Sequence, residues 1–387
     1  MKVALLGPYP LDGKPNGGVE CVMSALSSGL AGRPEIELHV VSAVPGLPAP
    51  VVVTRRPGLT IHQIRHPHGD RVLWHQPVVR PILHTLRSVA PDVVHAQMAG
   101  PYADAALQSG CPAVITLHGV VFREAALALS QAGWADRARW KLDTWYERWI
   151  VGRATDLIAI NPYVAHEYRH LTRARFHDIP ISISERYFDV PAEVDASARI
   201  LCVARVVPRK DILTLVRAFA RVRAAVPAAE LRIVGQDDAD PAYTSLCLDE
   251  IDRQGLGESV CFLGGLHGEE LAASYAWANL LMLTSLQETE PGVIAEAMVA
   301  GRPVVATRVG GVSFMIDDGR TGRLAEVGDA VALADAVIDL LSHPERRAAI
   351  SEAARAWAVP RYRPSDVVAR TLALYEQLAL RSKSARP

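Results

Sequence analysis

The sequence predicts an α/β protein made of two doubly wound domains in tandem, each a mainly parallel sheet with helices on its faces. Three observations carry this reading. The chain has 387 residues, more than one hydrophobic core ordinarily serves. Short apolar runs alternate with longer amphipathic stretches, the rhythm of βα units around a parallel sheet. That rhythm breaks once, near Pro180, and then starts afresh.

In the first half the apolar runs predict strands at Val3–Gly7, Glu37–Ser42, Asp92–Ala96, Ala113–Leu117 and Asp156–Ile160, with helical stretches between them. The stretch from Arg87 to Asp92 reads as a helix ending before a buried strand. The Pro- and Gly-rich segment from Ala43 to Gly58 reads as an exposed loop. Polar, aperiodic and holding two prolines, Pro180 to Ala196 is the expected linker. Beyond it come strands at Arg199–Ala204, Leu231–Gly235, Val260–Leu263, Leu280–Leu283 and Pro303–Ala306. Helical windows at Leu213–Ala225, Tyr243–Arg253, Glu269–Ala276 and Val293–Ala300 separate them.

With 41 basic and 42 acidic residues the formal charge is −1, so no global field draws nucleic acid or an anionic membrane. Five cysteines are scattered singly with no C-x-x-C, the usage of reduced thiols in a cytosolic protein. The apolar run at the N-terminus is too short for a signal peptide. No apolar stretch reaches the roughly 18 residues of a membrane span. The expected location is the cytoplasm, with no nucleic-acid partner, and peripheral membrane contact is not expected.

Doubly wound sheets bind ligands where loops and helix N-termini follow their strands. The most informative such window runs from Leu283 to Thr307. A strand opens into a polar loop holding Glu288 and Glu290. Pro291 then suits the first position of a helix, and Gly301 its C-terminal end. The helix N-terminus at Gly292 offers unpaired N–H groups and partial positive charge to an anion. Glu288 and Glu296 flank that point, and carboxylates beside a phosphate site suit sugar or ribose hydroxyls. Taken alone, the pair reads more readily as solvated charges.

Four further segments stand just after strands. Gly17-Gly18 opens a helix and can bring backbone N–H groups to a phosphate or an acceptor. Arg205 and Lys210, with Arg209 between them, provide cations that can hold a diphosphate as it gains charge. His118 ends Thr116-Leu117-His118, and His95 ends the preceding strand. The acidic turn Asp237-Asp238-Ala239-Asp240 superficially matches a metal-binding D-x-D and reads instead as a solvated turn. Neither a dinucleotide G-x-G-x-x-G nor a P-loop is present.

The window from Glu288 to Thr307 resembles the E-x7-E motif and following E-A-M-x-x-G-x-P-V-V-A-T segment of retaining glycosyltransferase family 4. Pro291 departs from it, since many members have Gly there, and so does Asp211, usually Gly. The Gly17-Gly18, His118 and Arg205–Lys210 segments agree in order, and the resemblance extends from Lys2 to near Leu380. It implies the GT-B fold: two facing Rossmann-like domains, with a helix from about Pro364 crossing back to the first. The expected acceptor domain is 1–185 with 364–387, and the expected donor domain is 196–360. The resemblance implies transfer of a hexosyl group from a UDP- or GDP-sugar to a sugar, lipid or small-molecule acceptor, without metal or other cofactor. Arg205 and Lys210 would then hold the diphosphate, and Gly292, Val293 and Ile294 would offer backbone N–H groups to the donor. Glu296 would bind ribose, while Glu288 and His118 would contact the sugar. A nucleotide-sugar epimerase of the same fold and a non-catalytic binding protein stay open as alternatives.

One segment stands outside this scheme. Trp134, Leu142, Trp145 and Trp149 recur at helical spacing among Arg137, Arg139, Lys141 and Arg148. Packing of the tryptophan stripe on the sheet is expected. An interfacial membrane helix is the other reading, weakened by Asp136, Asp143 and Glu147.

Overall fold

The computed structural model describes residues 1–10, 13, 15, 17–66, 74–128, 133–191 and 197–384. The chain divides into two compact units. Unit 1 is Met1–Ser182 together with the stretch from Pro364, and unit 2 is Ile183–Arg363. Of the linker expected at 180–196, residues 183–191 therefore belong to unit 2, and 192–196 lie outside the described residues.

Unit 1 begins with β1 (Lys2–Leu6), α1 (Gly18–Ala31), β2 (Glu37–Pro45), β3 (Val51–Arg56), β4 (Leu59–His66), α2 (Gln76–Val89) and β5 (Val93–Gln97). It continues with α3 (Pro101–Gln108), β6 (Ala113–Leu117), α4 (Val121–Ala128), α5 (Trp134–Arg153), β7 (Asp156–Ala159), α6 (Pro162–Tyr168) and β8 (Arg175–Asp178). Unit 2 runs β9 (Arg199–Val203), α7 (Ile212–Ala225), β10 (Glu230–Val234), α8 (Pro241–Arg253), β11 (Val260–Phe262), α9 (Gly268–Trp277) and β12 (Leu280–Leu283). Then come α10 (Gly292–Val299), β13 (Val304–Thr307), α11 (Val312–Met315), β14 (Arg323–Ala325), α12 (Ala330–Ser342) and α13 (Pro344–Tyr362). The final helix α14 (Pro364–Ser384) returns to unit 1.

The eight strands of unit 1 lie in the order β3-β4-β2-β1-β5-β6-β7-β8, all parallel except β3. The six of unit 2 lie in the order β11-β10-β9-β12-β13-β14, all parallel. Helices on both faces explain why central strands read as unbroken apolar runs: Val3, Ala4, Leu5 and Leu6 are each fully buried. The unit 1 core joins Val3 and Leu5 to Met23, Leu26 and Leu30 of α1 and to Val367, Val368 and Tyr375 of α14. No helix among the described residues is long and apolar enough to cross a membrane.

The structure corrects four readings. The segment Ala43–Gly58 is not a loop, because β2 runs on to Pro45 and Val51–Arg56 forms an antiparallel hairpin with β4. Its turn uses Gly58 at φ +69°, where an added Cβ would meet the Ala31 carbonyl oxygen at 2.2 Å. Strands β4, β8 and β14 were not anticipated. Pro291 is the residue before α10, not its first turn. Finally, the tryptophans of α5 do not pack on the sheet: Trp134 is 86% exposed, and the helix buries Tyr146, Glu147, Ile150 and Val151 instead.

Candidate functional site

Strand order places the candidate residues. In unit 2 the order reverses between β9 and β12, so the loops after these two strands part to leave a crevice at the carboxyl edge. The β9 loop carries Arg205, Arg209 and Lys210, and the β12 loop carries Ser285, Glu288 and the N-terminus of α10. Asp211 ends the first loop in the left-handed region at φ +47°, and its side chain caps α7 at the Thr214 N–H, 3.3 Å away. That backbone conformation is the physical reason glycine suits the position; the aspartate offsets its strain with a cap.

Glu288 is almost fully buried and lies at the centre of the cluster. Lys210 Nζ donates to its Oε1 and forms an ion pair with it. Ser285 Oγ donates to the same oxygen at 2.6 Å, and Arg209 Nη1 lies 3.6 Å from Oε2. Burial works to raise this carboxyl, but Lys210 and Arg209 outweigh it and hold the group below its ordinary range. Arg205 differs. It is exposed, and its guanidinium makes no hydrogen bond or ion pair with another described residue. The backbone approaches closely around the loops: an added Cβ on Gly235 would meet the Ala204 carbonyl oxygen at 2.0 Å, and on Gly310 that of Glu288 at 2.1 Å.

Glu296 sits one turn inside α10 and is half-buried. Tyr275 Oη donates to its Oε2 at 2.7 Å. Burial dominates, and the carboxyl is pushed up to about 7 despite that bond. The two glutamates of the motif are therefore shifted in opposite directions.

In unit 1 the order reverses between β1 and β5. Gly17, at φ +136°, precedes α1, and an added Cβ on Gly17 or Gly18 would meet nothing within 4 Å. His118 follows β6, one strand beyond β5. Its Nε2 donates to Gln97 Oε1 at 2.5 Å. Gln97 Nε2 in turn donates to His95 Nε2 at 3.0 Å, and His95 Nδ1 donates to Tyr375 Oη at 2.6 Å. The Thr116 hydroxyl lies 2.6 Å from His95 Nε2. Both imidazoles are neutral, since burial lowers His118 to about 4 and His95 to about 3. The chain of donors fixes the tautomers and leaves His118 Nδ1 as an acceptor.

Thus Arg205, Lys210, Glu288, Gly292 and Glu296 gather at one sheet edge of unit 2, with the Val293 and Ile294 amides in the first turn of α10. Gly17, Gly18 and His118 lie after strands of unit 1. Sequence reasoning missed Tyr275 and Gln97, single polar residues whose partners lie 21 positions along the chain, and Ser285, which serves the nearby Glu288. His95 is buried, and it lines a small cavity together with Gln97 and His118. Asp240 of the acidic turn caps α8, accepting from the Tyr243 N–H at 3.1 Å. Among the described residues no group of three or more His, Cys, Asp or Glu side chains is placed to hold a metal.

Comparison with known proteins shows the family and the fold. The family model Glycosyltransferase Family 4 matches residues 16–184, and Glycosyl transferases group 1 matches 197–343. A GDP-mannose-dependent alpha-(1-6)-phosphatidylinositol monomannoside mannosyltransferase of Mycolicibacterium smegmatis is 36% identical over 41% of this chain, a match spanning 43% of that protein. An MMP alpha-(1->4)-mannosyltransferase of Mycolicibacterium hassiacum is 27% identical over 75% of this chain and 71% of its own. Among solved structures, sucrose-phosphate synthase from Thermosynechococcus elongatus superimposes with a TM-score of 0.82 at 21% identity, covering 98% of this chain and 99% of that one. Anabaena HepE in complex with UDP-glucose gives 0.73 at 20% identity, covering 99% and 100%. The fold is GT-B. With the two models matching the greater part of both units in the expected order, the chain belongs to the glycosyltransferase family 4 group of glycosyl transferases.

Proposed function

We propose that the protein is a retaining glycosyltransferase that moves a hexosyl group from a UDP- or GDP-sugar to an acceptor hydroxyl without a metal ion. One observation carries the reading: the switch point of unit 2 collects Arg205, Lys210, Glu288, Glu296 and a helix N-terminus within two adjacent loops. Such a set matches a nucleoside diphosphate joined to polyols. Arg205 and Lys210 hold the diphosphate, and the amides of Gly292, Val293 and Ile294 add fixed dipoles. As the glycosidic bond breaks, these groups stabilise the growing negative charge, the task a metal would otherwise perform. Glu296 accepts from ribose hydroxyls, Glu288 from the sugar, and His118 Nδ1 from a further sugar hydroxyl. No side chain is assigned as covalent nucleophile; the departing phosphate takes the acceptor's proton on the face it leaves.

Names of relatives support both the donor class and its breadth. The Mycolicibacterium smegmatis relative is named for GDP-mannose, and Anabaena HepE was crystallised with UDP-glucose. The acceptor is a sugar, a lipid or a small molecule. A thermal-shift screen against UDP, GDP, ADP, dTDP and their sugars tests the reading. Stabilisation by one nucleotide class is expected, unchanged by EDTA and lost in Arg205→Ala. Proton NMR of the product then reports whether the anomeric configuration is kept. Sensitivity to EDTA would remove the metal-free mechanism, and no stabilisation at millimolar ligand would remove the transferase. Release of nucleoside diphosphate without any glycosylated product would favour an epimerase.

A further inference from the structure

Helix α5 carries a feature that the proposed transfer does not use. Trp134, Ala138, Leu142, Trp145 and Trp149 recur every three or four residues, so they share one face of the helix. That face is turned away from the unit 1 core, which receives Tyr146, Glu147, Ile150 and Val151. Trp134 is 86% exposed, Trp145 50% and Trp149 37%. Trp74, 49% exposed, extends the stripe with its ring 5.1 Å from that of Trp145. Scattered apolar residues are ordinary on a surface, but a contiguous aromatic stripe marks an interaction site.

The charges around the stripe select its partner. At 100° per residue, Arg137, Lys141 and Arg148 border one side of the stripe and are exposed; Arg153 borders the other and pairs with the buried Asp104 at 3.5 Å. Arg153 also lies over the Trp149 ring, 4.3 Å from its centroid. The acids sit elsewhere. Asp136 and Asp143 fall on the opposite side of the helix, Asp136 paired with Arg139 at 3.3 Å, and Glu147 is buried. In a chain of net charge −1, this face is aromatic with Arg137, Lys141 and Arg148 along one border, and the acid that meets its other border, Asp104, is buried.

We propose that the outward face of α5, extended by Trp74, docks unit 1 onto the surface of an anionic lipid bilayer. Indole rings prefer the headgroup level, where an apolar body and a polar N–H are both satisfied. Lysine and arginine beside them meet lipid phosphates while their stems lie along apolar surface. A protein partner would ordinarily need acids answered by bases on both sides; a uniformly negative sheet needs only the cationic rim seen here. The helix lies along the interface and does not span it. The inference is independent of the donor chemistry.

Sedimentation of the full chain with vesicles tests it, using phosphatidylcholine alone or mixed with phosphatidylglycerol. Binding to the mixed vesicles is expected, with little to the neutral ones, weakening as salt rises. Lys141→Ala and Arg148→Ala should each lower partitioning about fivefold, and Trp134→Ala should lower it as well. These side chains lie outside the core, so the variants keep the wild-type melting temperature and the response to nucleotide. Equal binding to neutral vesicles, no binding at low salt, or partitioning unmoved by Trp134→Ala and Lys141→Ala would each overturn the proposal. So would self-association of the protein that Trp134→Ala abolishes, which would assign the face to a second copy of the chain.

Discussion

Glu288 and Glu296 belong to one motif, yet their surroundings divide their chemistry. Glu288 is held ionised by Lys210 and Arg209 against the effect of burial, whereas burial brings Glu296 to about 7 with a single tyrosine donor beside it. A carboxyl accepts two ribose hydroxyls best when ionised, so donor binding in the proposed complex favours loss of the Glu296 proton. Affinity for a nucleotide sugar should therefore rise with pH through 7, about tenfold from pH 6 to pH 8. In the free protein the sign is opposite. The folded value lies above the ordinary 4.5, so this group's contribution to stability is complete below pH 4.5 and is lost as pH rises through 7. Calorimetric titration with a nucleotide sugar, whose diphosphate does not titrate here, reads the effect. Glu296→Gln should flatten the profile and weaken binding at pH 8; an unchanged slope would mean another group titrates. Glu288 needs a gentler probe than alanine, because removing it leaves Lys210 with no partner for its buried charge.

At the scale of elements, what the sequence disclosed follows from burial. Central parallel strands such as Leu280–Leu283 are covered on both faces, so they appear as apolar runs and were located to within a residue or two. Edge strands lack that signature. Val51–Arg56 alternates between exposed and half-buried positions beside a Pro- and Gly-rich turn, and Arg323–Ala325 is three residues long. The site was legible where chemistry is local, as at Arg205, Lys210 and the start of α10. It was not legible where one polar residue serves another far along the chain, as Gln97 serves His118. Arg302 is a sharper case of the same kind. It is 1% exposed, and its guanidinium donates to the carbonyls of Tyr275 at 2.8 Å, Ala276 at 3.3 Å, Ala300 at 3.1 Å and Pro191 at 2.8 Å. Burial, with Arg355 nearby, lowers it to about 10, which leaves it charged at neutral pH. It ties the C-terminal ends of α9 and α10 together, where carbonyls lack partners within the helix. Arg302→Met keeps an unbranched apolar stem and removes every donor, so unit 2 should lose about 3 kcal/mol or more. Urea unfolding measures this, and a loss below about 1 kcal/mol would mean that water replaces the guanidinium.

At the scale of the whole molecule, the chain completes unit 1 only with its last helix. Val367, Val368, Leu374, Tyr375 and Leu378 of α14 are buried in the core that α1 and β1 begin. The fit to α1 is close enough that a Cβ on Gly29 would meet Val368 Cγ2 at 2.5 Å. At about 1.5–3 kcal/mol for each large apolar side chain, the five together contribute on the order of 10 kcal/mol. That equals the whole stability of an ordinary domain, so unit 1 should not fold without α14. The same helix reaches the candidate site, because Tyr375 accepts from His95, which accepts from the Gln97 that holds His118. Two variants separate these roles. Truncation after Arg363 should abolish the calorimetric transition of unit 1 while unit 2, whose core is its own, keeps its transition and its response to nucleotide. Tyr375→Phe keeps the ring and loses only the hydroxyl, so stability should fall by about 1 kcal/mol. His95 Nδ1–H then lacks its acceptor, and the ring is free to adopt the other tautomer. Gln97 and His118 lose their fixed orientation as a result, so kcat should fall and affinity for the nucleotide sugar should weaken, with affinity for the free nucleotide unchanged. If Tyr375→Phe changed stability alone, α14 would serve only to close the core, and the orientation of His118 would depend on β5 and β6 without it.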